Sequence, residues 1–225
     1  MRSHLKDLFN LVALLLLAPC AALLRLFDVI GFGASEWFRF CSQMVALVPG
    51  IPGNYLRRAY YRWVLTECAA DCQLSFGVLF SHREARVESG VYVGPYTLLG
   101  HVVLREGCLL GSRVSIVSGR QQHAFDSSSG RWLASDLSKF KEVEIGPYAW
   151  IGEGAIVMAD IGAGSAVAAG SVVSAAIQDH VVVAGNPARF VRKLVVDGGS
   201  GSADSVGQPH PSRGERDSKQ ETCDR

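Results

Sequence analysis

An all-β solenoid is the fold class that the sequence predicts, and a six-residue rhythm across residues 87–185 predicts it. An aliphatic residue followed by a small one recurs at Val93-Gly94, Leu99-Gly100, Leu110-Gly111, Ile145-Gly146, Ile151-Gly152, Ile161-Gly162 and Val167-Ala168. Ile116, Val157 and Val173 keep the same phase, and small or aliphatic residues fall four places on at Thr97, Val114, Ala149, Ala155, Ser165 and Ser171. A helix needs a period near 3.6 and a flat strand a period of two. A period of six suits coils with flat sides, in which the aliphatic residue points inward and the small residue turns the corner. Glycine is expected there because it tolerates backbone angles that a side chain would block.

A second observation is where the rhythm slips. A five-residue step falls between Val93 and Leu104, and Arg105 stands where a glycine is expected. A four-residue step joins Val157 to Ile161. The largest break runs from about Ser118 to Val143, a polar segment with no apolar period. Such a segment has to leave the coil and return. Embedded between regular coils, it reads as a functional loop.

The 225 residues allow one domain with appendages. We divide them into an N-terminal helical segment (1–74), the solenoid (75–196) with its inserted loop at about 118–143, and a tail (197–225). The tail is rich in Gly, Ser and alternating charge and is expected to be disordered. A net charge of +1, with no basic stripe bearing interleaved aromatics, gives no argument for nucleic-acid binding. The six cysteines form neither zinc-like pairs nor an evident disulfide framework. Cys68 and Cys72 read as small buried thiols.

From Leu8 to Leu24 the chain is apolar apart from Asn10, with Arg2 and Lys6 ahead of it. A signal peptide, a transmembrane helix shortened by Pro19, and a helix pair lying in the membrane interface all fit. The third is favoured, because Arg25, Asp28, Glu36 and Arg39 punctuate the apolar pattern through Phe40. Simple packing of this segment on the solenoid or on a neighbouring subunit stays open beside it. A further helix is expected from about Asn54, as N-cap, to Glu67. Its Arg57, Arg58 and Arg62 would touch lipid headgroups or phosphates, or form a solvated face.

The hexapeptide run, the loop SGRQQHAFD, the block IGPYAWIGEGAIVMADIGAGSAVAAGSVV and the closing VVVAGNPARFVRK resemble the hexapeptide-repeat acyltransferases. The resemblance covers about residues 75–194 and is greatest to the branch associated with exopolysaccharide, capsule and lipopolysaccharide-type sugar O-acetylation. The stretch PGIPG-YLRRAYYR also fits that branch. The resemblance implies a left-handed parallel β-helix, acetyl-CoA as acyl donor without a metal, a saccharide acceptor, and a homotrimer with its sites between subunits. A cytoplasmic acyl donor in turn implies a cytoplasmic protein, and the interfacial reading of residues 1–40 would place it peripherally on the inner face of the membrane.

Acyl transfer to a hydroxyl needs a base, and imidazole accepts and returns a proton near neutral pH. His123 matches the catalytic histidine of that family. Asp126 or a main-chain carbonyl would orient the ring, and Asp126 could instead bind the sugar. Ser118, Gln121 and Gln122 offer partners to acceptor hydroxyls. Trp150 would wall the acceptor or cofactor groove, with a packing role equally open. Gly152, Ala168, Ala169 and Gly170 would let the pantetheine arm approach the backbone. Asn186-Pro187-Ala188 would end the coils in a turn. Beyond it Arg189, Arg192 and Lys193, on a short basic final helix, would meet the CoA phosphates. Two alternatives remain at this point. One is a metalloenzyme resembling the gamma-class carbonic anhydrases and using His82, His101 and His123, although the close histidine pair of that family is missing. The other is a β-helix scaffold without catalysis.

Overall fold

The computed structural model describes residues 2–118, 123, 125–132 and 140–195. Gln121, Gln122 and the tail at 197–225 lie outside the described residues.

Three helices come first: α1 (Arg2–Ile30), α2 (Ala34–Ala46) and α3 (Gly50–Val64). Helix α3 starts ahead of the expected cap. Pro49 caps it, and Pro52 sits near its start, where a missing N–H costs nothing. Asn54 therefore lies inside the helix, where its Oδ1 accepts the Leu74 N–H at 3.1 Å. Gly53 is obligatory at the crossing with the α2–α3 turn, since a Cβ there would lie 1.9 Å from the Val48 carbonyl oxygen.

Arg57 and Arg58 are buried, which corrects both sequence expectations for them. Arg57 donates from Nη1 to the carbonyls of Val45 (3.2 Å), Ala46 (3.4 Å) and Val48 (2.7 Å), and from Nε to Leu74 O (2.8 Å). One guanidinium thus supplies donors for carbonyls that the end of α2 leaves unpaired. Burial pulls its pKa below the usual arginine range. Arg58 donates to Cys72 O at 3.1 Å and to Asn10 Oδ1, and lies over the Tyr55 ring. Both cations join helices to the first coil, and neither is available to lipid.

The coils begin at Glu67, earlier than the boundary expected at 75. The first holds β1 (Glu67–Cys68), β2 (Gln73–Leu74) and β3 (Leu79–Phe80). The second holds β4 (Arg86–Val87), β5 (Tyr92–Val93) and β6 (Leu98–Leu99), and the third β7 (Val102–Leu104), β8 (Leu109–Leu110) and β9 (Ser115–Ile116). A small antiparallel hairpin follows, β10 (Phe125–Asp126) with β11 (Arg131–Trp132). The fourth coil holds β12 (Val143–Ile145), β13 (Trp150–Ile151) and β14 (Ile156–Val157). The fifth carries β15 (Ala166–Val167) and β16 (Val172–Val173), and the sixth β17 (Val181–Ala184). Equivalent strands stack in parallel into three sheets. Sheet A is β1-β4-β7-β12, sheet B runs β2-β5-β8-β13-β15-β17, and sheet C is β3-β6-β9-β14-β16. This is the expected left-handed parallel β-helix with N-terminal helices.

One terminal element differs. Residues Arg189–Lys193 form a strand, β18, antiparallel to β17, and not a short helix. The chain turns at 185–188 and its last apolar residues pair with the open edge of sheet B, so the edge N–H and C=O groups gain partners.

All ten aliphatic residues of the rhythm, from Val93 to Val173, are at most 2 % exposed, so the period does define the core. The small residue after each has a different job from the one expected. Gly94, Gly111 and Gly152 do not adopt positive φ. Instead, a Cβ on Gly152 would lie 2.4 Å from Ala169 N, and one on Gly94 would lie 2.5 Å from Gly111 C. They are small because the next coil's backbone passes directly above. The left-handed position comes two residues later, at Tyr96, Arg113, Tyr148 and His180 as well as Gly154 and Gly170.

Arg105 replaces a corner glycine by pointing outward into a charge cluster, donating to Glu144 Oε1 at 2.9 Å and Glu88 Oε1 at 2.8 Å. The carboxylates raise its pKa further. Cys68 and Cys72 place their sulfurs 3.6 Å apart as free thiols.

Two corners keep the six-residue step without exception. From sheet A to sheet B it runs Val87 to Val93, Leu104 to Leu110 and Ile145 to Ile151; from B to C it runs Leu74 to Phe80, Val93 to Leu99 and Ile151 to Val157. Every slip falls on the third corner, between sheets C and A: Phe80 to Val87, Leu99 to Leu104, Val157 to Ile161, and the loop after Ile116.

Candidate active site

The irregular corner gathers histidines and the base of the inserted loop. Its successive coils present His82, His101 and Ser118, each two residues beyond an inward side chain (Phe80, Leu99, Ile116). Stacking of the coils puts these positions above one another. The His82 and His101 rings lie parallel with centroids 6.0 Å apart, and Phe140 meets His82 edge-on at 5.1 Å. His82 Nδ1 shares a hydrogen bond with Ser81 Oγ at 2.9 Å, and His101 Nε2 lies 3.2 Å from Glu142 Oε2. Burial is the main cause that lowers the His82 pKa; Glu84 opposes it and His101 adds to it. This imidazole is therefore held toward its neutral form.

The inserted loop is rooted here. Ser118 is buried; its Oγ accepts the His101 N–H at 2.8 Å and its carbonyl accepts the Lys141 N–H at 3.1 Å. The loop thus leaves and re-enters the corner at one point. The Ser118 hydroxyl is engaged with the main chain, which gives it a structural part in holding the loop base. A cavity of about 530 Å³ lies beside that base, walled by Arg39 and Gln43 of α2, Leu98 of sheet C, His82 and Ser118 of the corner, and Phe140 from the returning loop.

His123 is exposed on the loop. Asp126 opens the β10–β11 hairpin. Its Oδ1 accepts from the Ser128 N–H (2.9 Å) and Oγ (2.6 Å), and its Oδ2 from Ser129 Oγ (2.6 Å). These bonds lower its pKa to about 2. The carboxylate shapes the turn.

The remaining expected site residues lie on other faces of the same chain. Trp150 is exposed on sheet B, opposite the irregular corner, in register with Leu109 and Ala166. The same row continues through Val182 to Arg192 on β18. Arg189, Arg192 and Lys193 are all exposed. Gly152, Ala168, Ala169 and Gly170 lie on the B-to-C corner. Gly152 is filled by the coil above it, whereas Gly154 and Gly170 face open space. Among the described residues, then, the loop base at Ser118 and the residues expected to bind the donor lie at different corners of one chain. Among the described residues, no three His, Cys, Asp or Glu side chains converge as metal ligands.

The wall residues Gln43 and Phe140, and Glu142 beside His101, escaped sequence reasoning, and Arg39 was read only as a charge punctuating the N-terminal apolar pattern. His82 and His101 were noticed only as metal ligands, although their shared offset from Phe80 and Leu99 was a usable signal.

No protein-family model matches the chain. It is similar to serine acetyltransferase 2 of Arabidopsis thaliana, at 34 % identity over 118 residues, which is 50 % of this chain and 32 % of the relative. It is also similar to serine acetyltransferase 4 of the same plant, at 33 % over 115 residues, 49 % of this chain and 28 % of the relative. The chain thus spans about a third of the length of the curated relatives it matches. Among solved structures, a variant of AntD, an N-acyltransferase from Bacillus cereus, aligns with a TM-score of 0.48 at 18 % identity over 56 % of this chain and 71 % of that one. The matched stretches of both relatives amount to about half of this chain.

Proposed function

We propose that the protein is an acyl-CoA-dependent O-acyltransferase that uses acetyl-CoA and a saccharide hydroxyl, in the biosynthesis of a surface polysaccharide. The observation that carries this reading is the loop at the irregular corner, whose ends Ser118 and Phe140 wall a cavity and whose His123 is exposed. The names of the curated relatives support acetyl transfer. The cavity wall combines polar groups (Arg39, Gln43, His82) with apolar ones (Leu98, Phe140), a mixture suited to the hydroxyls and C–H faces of a sugar.

In this mechanism His123 takes the acceptor hydroxyl proton as the oxygen attacks the thioester carbonyl. The C–S bond breaks, and the leaving thiolate receives a proton. His82, held neutral beside the cavity, orients the acceptor. The donor fits the open glycine steps at Gly154 and Gly170, with Arg189, Arg192 and Lys193 for its phosphates. Because those residues lie away from the loop, the reading calls for a second copy to supply them. A homotrimer closes that requirement, and the exposed, adjacent Leu109 and Trp150 on sheet B support it. Dependence on acyl-CoA favours the cytoplasm.

The test is incubation of the full chain with acetyl-CoA and a panel of mono- and oligosaccharides, with free serine alongside because the curated relatives are serine acetyltransferases. Thiol release together with a sugar acetyl ester in the mass spectrum is expected. O-Acetylserine alone would move the acceptor to an amino acid. No thiol release above background hydrolysis would overturn the acyltransferase reading. Light scattering would show three copies if the trimer is right, and a monomer would contradict it.

A further inference from the structure

Helix α1 is tied to the body along one side only. Arg58 donates to Asn10, Trp63 Nε1 to Leu14 O at 3.1 Å and Trp37 Nε1 to Cys20 O at 3.0 Å. Arg83 forms a two-bond pair with Asp28 at 2.7 and 2.9 Å. At 100° per residue, these contacts and the buried Ala13, Ala21 and Leu24 occupy one arc of the helix. The opposite arc holds Leu8, Leu11, Val12, Leu15, Leu16, Pro19, Ala22, Leu26, Val29 and Ile30, with no polar residue among them. Leu15 and Leu16 are each 64 % exposed and Val29 86 %.

The apolar surface continues onto neighbouring elements. Phe32 projects from the α1–α2 turn at 80 % exposure, and Ile51 at 75 % borders an apolar groove of about 420 Å³ between α1 and α3. On α2 and its C-cap the exposed Phe40, Met44 and Leu47 follow helical spacing, and the adjacent stripe is Arg39 and Gln43, which wall the cavity. Trp37 stacks on Phe40 and meets Phe27 of α1 edge-on, so the two helices share this face. Water is a poor neighbour for an apolar face this continuous.

We propose that the outer faces of α1 and α2 dock on a lipid bilayer and hold the Arg39 rim of the cavity at headgroup level. The side of α1 that a free interfacial helix would keep polar is here supplied by the protein body. The groove beside Ile51 suits an acyl chain, since its lining is apolar apart from the Tyr55 hydroxyl. Lys6, Arg25 and Arg39 are exposed, with Asp7 and Glu36 as the opposing acids and Asp28 already paired with Arg83. The small positive excess complements anionic headgroups. Although α1 from Lys6 to Ile30 is long and apolar enough to cross a membrane by length and composition, its ties to the body favour lying along the surface. A saccharide carried on a lipid keeps its hydroxyls in this headgroup layer; that consequence rests on the acyltransferase reading, whereas docking does not.

Flotation of the full chain with phosphatidylcholine vesicles, with and without phosphatidylglycerol, tests the surface without any enzymatic readout. The wild type should float on both. Leu15→Ser combined with Leu16→Ser should lower partitioning at least about 10-fold, with circular dichroism confirming the fold. Arg39→Gln should weaken binding only to the anionic vesicles, by roughly 5-fold, the worth of one basic residue near the surface. Failure of the wild type to float overturns the proposal without any variant. Unchanged flotation of the folded double variant overturns it as well. Self-association through this face in place of flotation would assign it to a second copy. Loss of thiol release with flotation intact would instead remove the acyltransferase reading alone.

Discussion

Two corners of the coil and the third obey different rules. At the strict corners the step is always six residues, and backbone stacks on backbone: Gly94 beneath Gly111, Gly111 beneath Glu153, Gly152 beneath Ala168 and Ala169. At these B-to-C steps a side chain would strike the next coil, so composition and length are both fixed; the A-to-B corner keeps the length but admits Glu88 and Arg105. At the C-to-A corner the steps vary, and the positions are free to carry His82, His101 and a long loop. Regularity marks where coil stacks directly on coil, and its loss marks where polar side chains and the inserted loop are accommodated.

Substitutions at the two kinds of corner should therefore differ in kind. Gly152→Val places carbon against main-chain atoms that cannot retreat. We expect a loss of roughly 3 kcal/mol or more, read as a drop in the denaturation midpoint or as failure to fold. A tolerated valine would break the contrast at its strongest point. Arg57→Met comes next. It removes the Arg57 donors from the carbonyls of Val45, Ala46, Val48 and Leu74, of which Val45 and Ala46 keep a main-chain donor, and should cost about 3 kcal/mol in urea unfolding. Arg105→Met, at a half-exposed pair of carboxylates, should cost only about 1 kcal/mol, and less in high salt.

The smallest effect is a pH dependence at the irregular corner. The folded pKa of His82 lies below its unfolded value of about 6.5. Its contribution to stability is thus present above that pH and is lost as pH falls through the lowered folded value. Thermal midpoints should decline between neutral pH and about pH 5, and His82→Gln should flatten part of that decline. Identical slopes for the two proteins would contradict the burial argument.

Much of the fold was legible in the sequence because one inward residue per hexapeptide is a local rule, and ten of ten such positions are buried. The role of the small residues was misjudged because close approach between coils depends on residues a full turn away. Arg57 and Arg58 look like surface charge in any window; only the neighbouring α2 carbonyls and the first coil make them interior. The segment RFVRK is too short to reveal its structure by period, and an open sheet edge decided it. For the candidate site, the loop was visible as a break in rhythm, and His123 through the resemblance. The cavity was not, since α2 and Phe140 come to it from distant parts of the chain.

The most direct test of this division of labour is His123→Ala, with thiol release from acetyl-CoA in the presence of an acceptor and thermal unfolding measured on one preparation. The account predicts turnover lower by roughly 10²–10⁴-fold, the scale of a lost general base, and an unchanged unfolding midpoint. Unchanged turnover would contradict it, because the irregular corner would then not be the place where the chemistry occurs.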